Sequence, residues 1–432
     1  MTSLSPKLRG PITGVLVVAV ILFAFSGTVM AGGYVIGTLT PNSGAAASFG
    51  EPLYKAGELA AHYVNEAGGI RGHEIVLKNE DTATSEISGV RAARDLVNKE
   101  EVSAIVGAYS SGVAMAAAES VIIPGEITFV TPGTSPIISV LDDSDYVFRS
   151  SAHDLQSGRV LGDAIAEDGH DRIGIIYVNN VYGLGLAKST AAAFERFHGG
   201  EVLASIPFEI DQESYASEVE LVYDDGNIDA AVIIAYPEDA KILHRDIMEA
   251  GWSDIPWYGS PDQKVRELVE ELGAEYMSGL EIGITQGRWD SPSRESFQEG
   301  FDEFHGEKPS SPYMAPMFDG ISSVALAIAA SGRSPEEITG TDIRDHMREV
   351  TSPPGKEIYA TVEDFKKAFE LLDEGEKVNY MGVVGPVEFD AYGDSLSAVK
   401  LWSVDGDGEF VTVENRLGES IPREMLPPEF QK

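Results

Sequence analysis

From Tyr34 onward the chain alternates short, continuously apolar runs with stretches of helical periodicity, and this alternation limits its fold more than any other feature. The run YVIG at Tyr34 precedes a helical pattern over residues 49–66, residues 75–77 precede one over 88–98, and residues 104–106 precede an Ala-rich one. The series starts again with IGIIY at residues 173–177 and a helix over 184–197, then a run at 202–206, AAVII at 230–234 and a helix over 238–250. Strands with one wet face alternate apolar and polar residues, whereas strands covered on both faces read as continuous apolar runs. The chain therefore reads as α/β, with parallel central sheets flanked by helices.

At 432 residues it exceeds the roughly 250–300 that one hydrophobic core organises, so two cores are expected. The strand and helix series restarts at FRSSAHD, residues 148–154, without a Ser/Gly-rich or Pro-rich linker, which favours two lobes joined by short crossovers. The balance of 31 Lys and Arg against 70 Asp and Glu, a formal charge of −39, opposes nucleic acid and anionic lipid as partners. Cysteine is absent, which removes disulfides, thiolate metal sites, thiol nucleophiles and a lipidated cysteine anchor.

Lys7 and Arg9 precede the apolar stretch GVLVVAVILFAF at residues 14–25, and Val29-Met30-Ala31 puts small residues at the −3 and −1 positions of a cleavage site. Residues 12–30 also approach the length of about 20 that spans a bilayer. Residues 1–31 thus read as a signal peptide or an N-terminal membrane anchor, and either one exports the rest to the periplasm or cell surface.

Catalytic motifs are weak. The paired serines sit in GAYSSG, residues 107–112, which lacks the G-x-S-x-G spacing of a nucleophile elbow, and no sequence pattern pairs a histidine with Ser110 or Ser111. The eight histidines never form H-E-x-x-H, so no metal site and no cofactor are expected. In DGDGE, residues 405–409, the positions an EF-hand loop would require as Gly and Glu hold Phe410 and Arg416, so a hairpin turn is the better reading.

What recurs is a hydroxyl-bearing loop after a strand: Ser110-Ser111-Gly112, then Thr131-Pro132-Gly133-Thr134-Ser135, then Tyr236-Pro237-Glu238. In open α/β sheets ligands bind at the carboxyl ends of strands, although Ser and Thr there also serve as ordinary helix caps. Phe318-Asp319-Gly320, before a helical pattern at 321–330, allows the same two readings, with Asp319 as a cap or a cleft residue.

Together LTPNSGAAASFG (39–50), NEAGGIRGHEIVLKNEDTA (65–83), VGAYSSG (106–112), FVTPGTSP (129–136), FRSSAHDLQSG (148–158), YVNNVYGLGLA (177–187) and GPVEFDAYGD (385–394) resemble the extracellular substrate-binding proteins of ABC importers for branched-chain amino acids and related amides. The resemblance covers about residues 34–414 and implies the type I periplasmic-binding-protein fold: two Rossmann-like lobes joined by a hinge. It implies a first lobe of residues 34–150 with 285–380, a second of 151–284 with 381–415, and a C-terminal extension, 416–432, whose IPREMLPPEF reads as an extended wrap or linker.

By the same resemblance, Ser111 and the loop Gly133, Thr134 and Ser135 would take a ligand carboxylate, with Ser110 as the capping neighbour. Tyr182 and Tyr236 would come from the second lobe, and Phe49 stands where relatives often place a tyrosine. Relatives that bind amino acids carry a carboxylate directly after a Gly-Ser or Gly-Pro pair to receive the α-ammonium. Here Pro261 displaces Asp262 by one residue in Gly259-Ser260-Pro261-Asp262. If the loop absorbs that shift, the ligand is a branched-chain or other amino acid; if not, it is urea, a short amide or a small carboxylic acid. The expected protein is a monomeric, non-enzymatic ligand carrier that works with ABC permease subunits, or a ligand sensor of the same fold.

Overall fold

The computed structural model describes residues 1–2, 32–223, 227–287, 289–395, 397–417 and 421–422. Residues 32–432 form one compact unit and 1–31 another, and the signal or anchor segment lies outside the described residues. In the larger unit the first five strands are β1 (Tyr34–Thr40), β2 (Ile75–Asp81), β3 (Ala104–Gly107), β4 (Thr128–Thr131) and β5 (Val147–Arg149). They form a wholly parallel sheet in the order β2-β1-β3-β4-β5. Next come β6 (Arg172–Val178), β7 (Glu201–Phe208), β8 (Ala230–Ile234), β9 (Trp257–Gly259) and β10 (Leu280–Gln286). These repeat the arrangement as β7-β6-β8-β9-β10, again parallel.

A short parallel pair, β11 (Lys356–Tyr359) and β12 (Val378–Met381), stands apart. The hairpin β13 (Val399–Val404) and β14 (Phe410–Arg416) joins the second sheet antiparallel at β10. The expected α/β class with parallel central sheets holds, with this antiparallel edge as an addition. DGDGE forms the hairpin's turn, where Asp405 Oδ1 accepts the Asp407 and Glu409 N–H groups at 3.0 and 2.9 Å. The continuous apolar runs are the central strands: every residue of AIVG in β3 and AAVII in β8 is buried, as two covered faces require.

The helix expected at 321–330 is longer, Met314–Ser331, because Pro316 falls in its first turn, where a missing N–H breaks no helical bond. Asp319 is therefore no cap. Its buried carboxylate accepts from the Tyr380 hydroxyl at 2.8 Å and the Val383 and Val384 N–H groups at 2.9 and 2.8 Å, fastening the chain just past β12. Of the C-terminal extension, Ile421 is described: it is buried against Leu155, Ala192 and Ala193 and donates its N–H to Leu155 O at 3.2 Å.

FRSSAHD and GPVEFDAYGD meet in a buried ion pair. Arg149 Nε donates to Asp394 Oδ1 at 2.9 Å, its other nitrogens reach Ser135 O at 3.1 Å and Ser139 Oγ at 2.8 Å, and Ser139 donates to Asp394 Oδ2 at 2.7 Å. The two side chains are 1% and 5% exposed, so removing one partner strands a desolvated charge. Arg149→Met is expected to lower unfolding free energy by about 3–5 kcal/mol, read by urea denaturation; a loss under about 1 kcal/mol would refute this role.

Candidate functional site

A 2-1-3-4-5 sheet reverses direction between its first and third strands, and a crevice opens at that switch point beyond the strands' carboxyl ends. Each sheet here has one, and the loops after β3 and β4 face those after β6, β8 and β9. After β3 the chain turns abruptly. Gly107 has φ 129°, and a Cβ there would lie 2.3 Å from Leu39 O on β1, so only glycine fits. Ala108 follows with φ 55°, a left-handed backbone that non-glycine residues adopt at a cost.

That turn aims Tyr109 across the crevice, where its hydroxyl donates a short hydrogen bond to Asp262 Oδ1. The next residue, Ser110, occupies the N-cap position of the helix Ser111–Ala117 without a capping side-chain bond; its Oγ accepts from the Tyr236 hydroxyl at 3.1 Å instead. Ser111 turns toward its own sheet, where its Oγ accepts the Thr134 and Ser135 N–H groups at 3.1 and 3.2 Å. Gly133 gives its N–H to Thr131 Oγ1 at 3.0 Å.

From the second sheet, Asn180 caps the helix Val181–His198 through Gly183 N–H at 3.0 Å and donates Nδ2 to the Tyr236 hydroxyl at 3.2 Å. Tyr182 and Tyr236 stack with centroids 5.8 Å apart. Pro261 opens a single 3-10 turn, Pro261–Gln263, which buries Asp262 to 2% exposure. Gln263 fixes that turn from behind: Nε2 donates to Ile233 O at 2.7 Å, and Oε1 lies 3.1 Å from His244 Nε2. Burial lowers His244 to about 4, so it stands neutral there.

Tyr109, Pro132, Thr134, Tyr182, Tyr236, Asp262 and Tyr313 line a cavity of about 10 Å³, roughly the room one water needs. Of the nine residues expected at the site, Thr134, Tyr182, Tyr236 and Asp262 line it, while Ser110 is hydrogen-bonded to the Tyr236 wall. Ser111 and Gly133 brace the loops behind. Ser135 is fully buried, and a Cβ built on Gly185 would come within 2.8 Å of its Oγ. Phe49 lies one layer back, stacked on Tyr109 at 4.7 Å.

Sequence reasoning missed Tyr109, Asn180 and Tyr313. Tyr109 carried a signal, being the one aromatic hydroxyl in a loop of small residues at a switch point. Tyr313 carried none, because its place depends on a left-handed backbone, φ 67°, ahead of a helix whose start was misjudged.

The cavity's electrostatics are one-sided. Burial pushes Asp262 up to about 6, opposed by the hydrogen bond from Tyr109. Burial also pushes Asp154, at the start of the helix Asp154–Glu167, up to about 7, against a hydrogen bond from Thr134 and the charge of Arg149. Among the described residues no Lys, Arg or His lines this cavity.

The sequence profile of the family described as periplasmic binding protein matches residues 33–368. The chain belongs to this family. It is 25% identical over 381 residues to the chemotactic signal transduction system substrate-binding protein BasB of Halobacterium salinarum, covering 82% of this periplasmic binding protein and 83% of BasB. Among solved structures it resembles the branched-chain amino acid transporter substrate-binding protein LivJ of Streptococcus pneumoniae in complex with isoleucine, with TM-score 0.70 and 21% identity over 89% of this chain and 99% of that one. It also resembles an ABC transporter solute-binding protein of R. palustris in complex with benzoate, with TM-score 0.71 and 18% identity over 91% and 99%. At these identities the structures establish the type I fold.

A carboxylate whose folded pKa is raised stabilises the fold only while protonated, and the cost appears as pH rises through about 6. Asp262→Asn is therefore expected to be more stable than the parent at pH 8, by on the order of 2–3 kcal/mol, with the difference vanishing near pH 4. Urea unfolding at the two pH values checks this; equal stability at both would contradict the burial of a charged Asp262.

Proposed function

We propose that this periplasmic binding protein is an exported carrier that captures an amino acid between two closing lobes and hands it to the permease of an ABC importer. The observation carrying the reading is the Asp262 cavity, which has a carboxylate, hydroxyls and aromatic faces and no basic side chain among its described lining residues. A desolvated carboxylate gains most from a cationic partner. An α-ammonium supplies one; urea, an amide or a simple acid does not. That one similar structure is a complex with isoleucine and another a complex with benzoate supports the ligand's size class.

The lobes of this reading are residues 34–150 with 285–380 and 151–284 with 381–415. The crossovers beside Ala152 and Gln286 then form part of the hinge; Gln286 Oε1 accepts the Ala152 N–H at 2.8 Å. Ser110, Thr134, Tyr182, Tyr236 and Asp262 meet the ligand with Tyr109 and Tyr313, while Ser111, Gly133, Ser135 and Phe49 shape the loops. A cavity of about 10 Å³ admits an amino acid only when Tyr109 and Asp262 separate. Ligand contacts to both lobes then favour reclosure, and closure needs only differential affinity for the two states. No bond is made or broken. A second reading, presentation of the closed form to a signalling receptor, draws on the likeness to BasB.

Thermal-shift titration of the full chain, stripped of co-purified ligand, against amino acids, urea, short amides and small carboxylic acids tests the reading. The expected outcome is a rise in Tm confined to amine-bearing compounds, with affinity falling roughly 30-fold or more in Asp262→Asn. Binding confined to amine-free compounds and unaffected by that substitution would overturn it.

A further inference from the structure

Beyond Tyr313, which lines both spaces, lies a second cavity of about 120 Å³ with the opposite electrostatics. Lys264, Arg294 and Lys400 line it, and no Asp or Glu does so among the described residues. In a chain where carboxylates outnumber basic residues 70 to 31, a lining with three cations and no acid is a marked local reversal.

The charges come from separate elements. Lys264 follows the turn that holds Asp262, Lys400 lies on β13 directly across from Thr285 of β10, and Arg294 sits in the helix Pro292–His305. Lys264 makes no ion pair among the described residues. Its ammonium lies 4.7 Å from the Phe410 ring centroid, a face that attracts a cation but accepts no conventional hydrogen bond. Burial, with the charge of Arg266, lowers the Lys264 pKa, the sign of a cation short of water and of a counter-ion. Thr285 is 4% exposed, and its hydroxyl has no hydrogen-bond partner among the described residues. Lys264 and Thr285 both line this cavity, so an anion there would lie beside a cation that makes no ion pair, and a hydroxyl that has no hydrogen-bond partner, among the described residues.

We propose that this cavity is a carboxylate-binding subsite, built around Lys264 and Thr285 with Lys400 and Arg294 adding positive potential. Lys264 is two residues from Asp262, so their Cα atoms lie within about 7.6 Å. Because Tyr313 lines both cavities, a ligand held by its ammonium at Asp262 would reach this one with a second carboxylate once the Tyr313 ring turns aside. This extension to an acidic amino acid rests on the reading of Asp262 above; the anion subsite itself does not, and a separate small carboxylate would use the same donors.

The test titrates the full-length protein and its Lys264→Met, Lys400→Met and Lys264→Arg variants with leucine, glutamate and acetate at constant ionic strength. If the carboxylate belongs to the ligand, glutamate affinity falls at least tenfold in both Met variants, leucine affinity stays within twofold, and Lys264→Arg recovers most of the loss. If it comes from a separate ion, acetate raises Tm in the parent and in Asp262→Asn but not in the Met variants. Glutamate and acetate acting equally on the parent and both Met variants, including no effect on any, would overturn the subsite. Failure of leucine and glutamate alike to bind would count against the Asp262 reading, while the acetate series would still decide the subsite.

Discussion

The site depends on one carboxylate that is kept from water and met by a tyrosine from the other sheet. Asp262 is placed by a proline-initiated turn, backed by Gln263 and the neutral His244, and approached by Tyr109 from a turn that only Gly107 permits. An ionised carboxylate in such a place is unstable without a partner. Tyr109 supplies a hydrogen bond but no charge, so the carboxylate would gain further from a cationic partner. In the proposed reading, a ligand's cation relieves that imbalance.

Duplication of topology puts the imbalance at an interface. Each main sheet repeats the 2-1-3-4-5 order, so each presents its switch-point loops at the carboxyl ends of its strands. The loops interlock through Tyr109 with Asp262 and Tyr236 with Ser110, contacts between residues 153 and 126 positions apart. Such contacts hold only when the two sets of loops are close. In the proposed reading, ligand recognition and lobe closure are therefore one event.

Much of this was legible in the sequence, for physical reasons. Short continuous apolar runs alternating with helical patterns point to doubly covered strands because both faces must be apolar, and hydroxyl loops after those runs located Thr134, Tyr236 and the serine pair. The division of labour within that pair was not legible, since Ser110 and Ser111 differ only in which way a helix start points them. The helix Met314–Ser331 starts seven residues before the expected 321, because Pro316 stands in its first turn where no helical bond is lost. Tyr313 went unseen with it. The sequence left Asp319 as a cap or a cleft residue, whereas its three hydrogen bonds reach residues 380–384, a pairing that local pattern cannot reveal.

The most direct measurement of the central claim is the distance between the lobes. The chain has no cysteine, so two introduced at the exposed positions Ile87 and Leu221, 85% and 65% accessible, can carry spin labels without background. The account predicts that an amino acid ligand shortens and narrows the inter-label distance distribution in the parent, while Asp262→Ala keeps the broad, longer distribution at the same ligand concentration. Identical distributions in the two proteins with that ligand present would contradict the claim that Asp262 couples binding to closure.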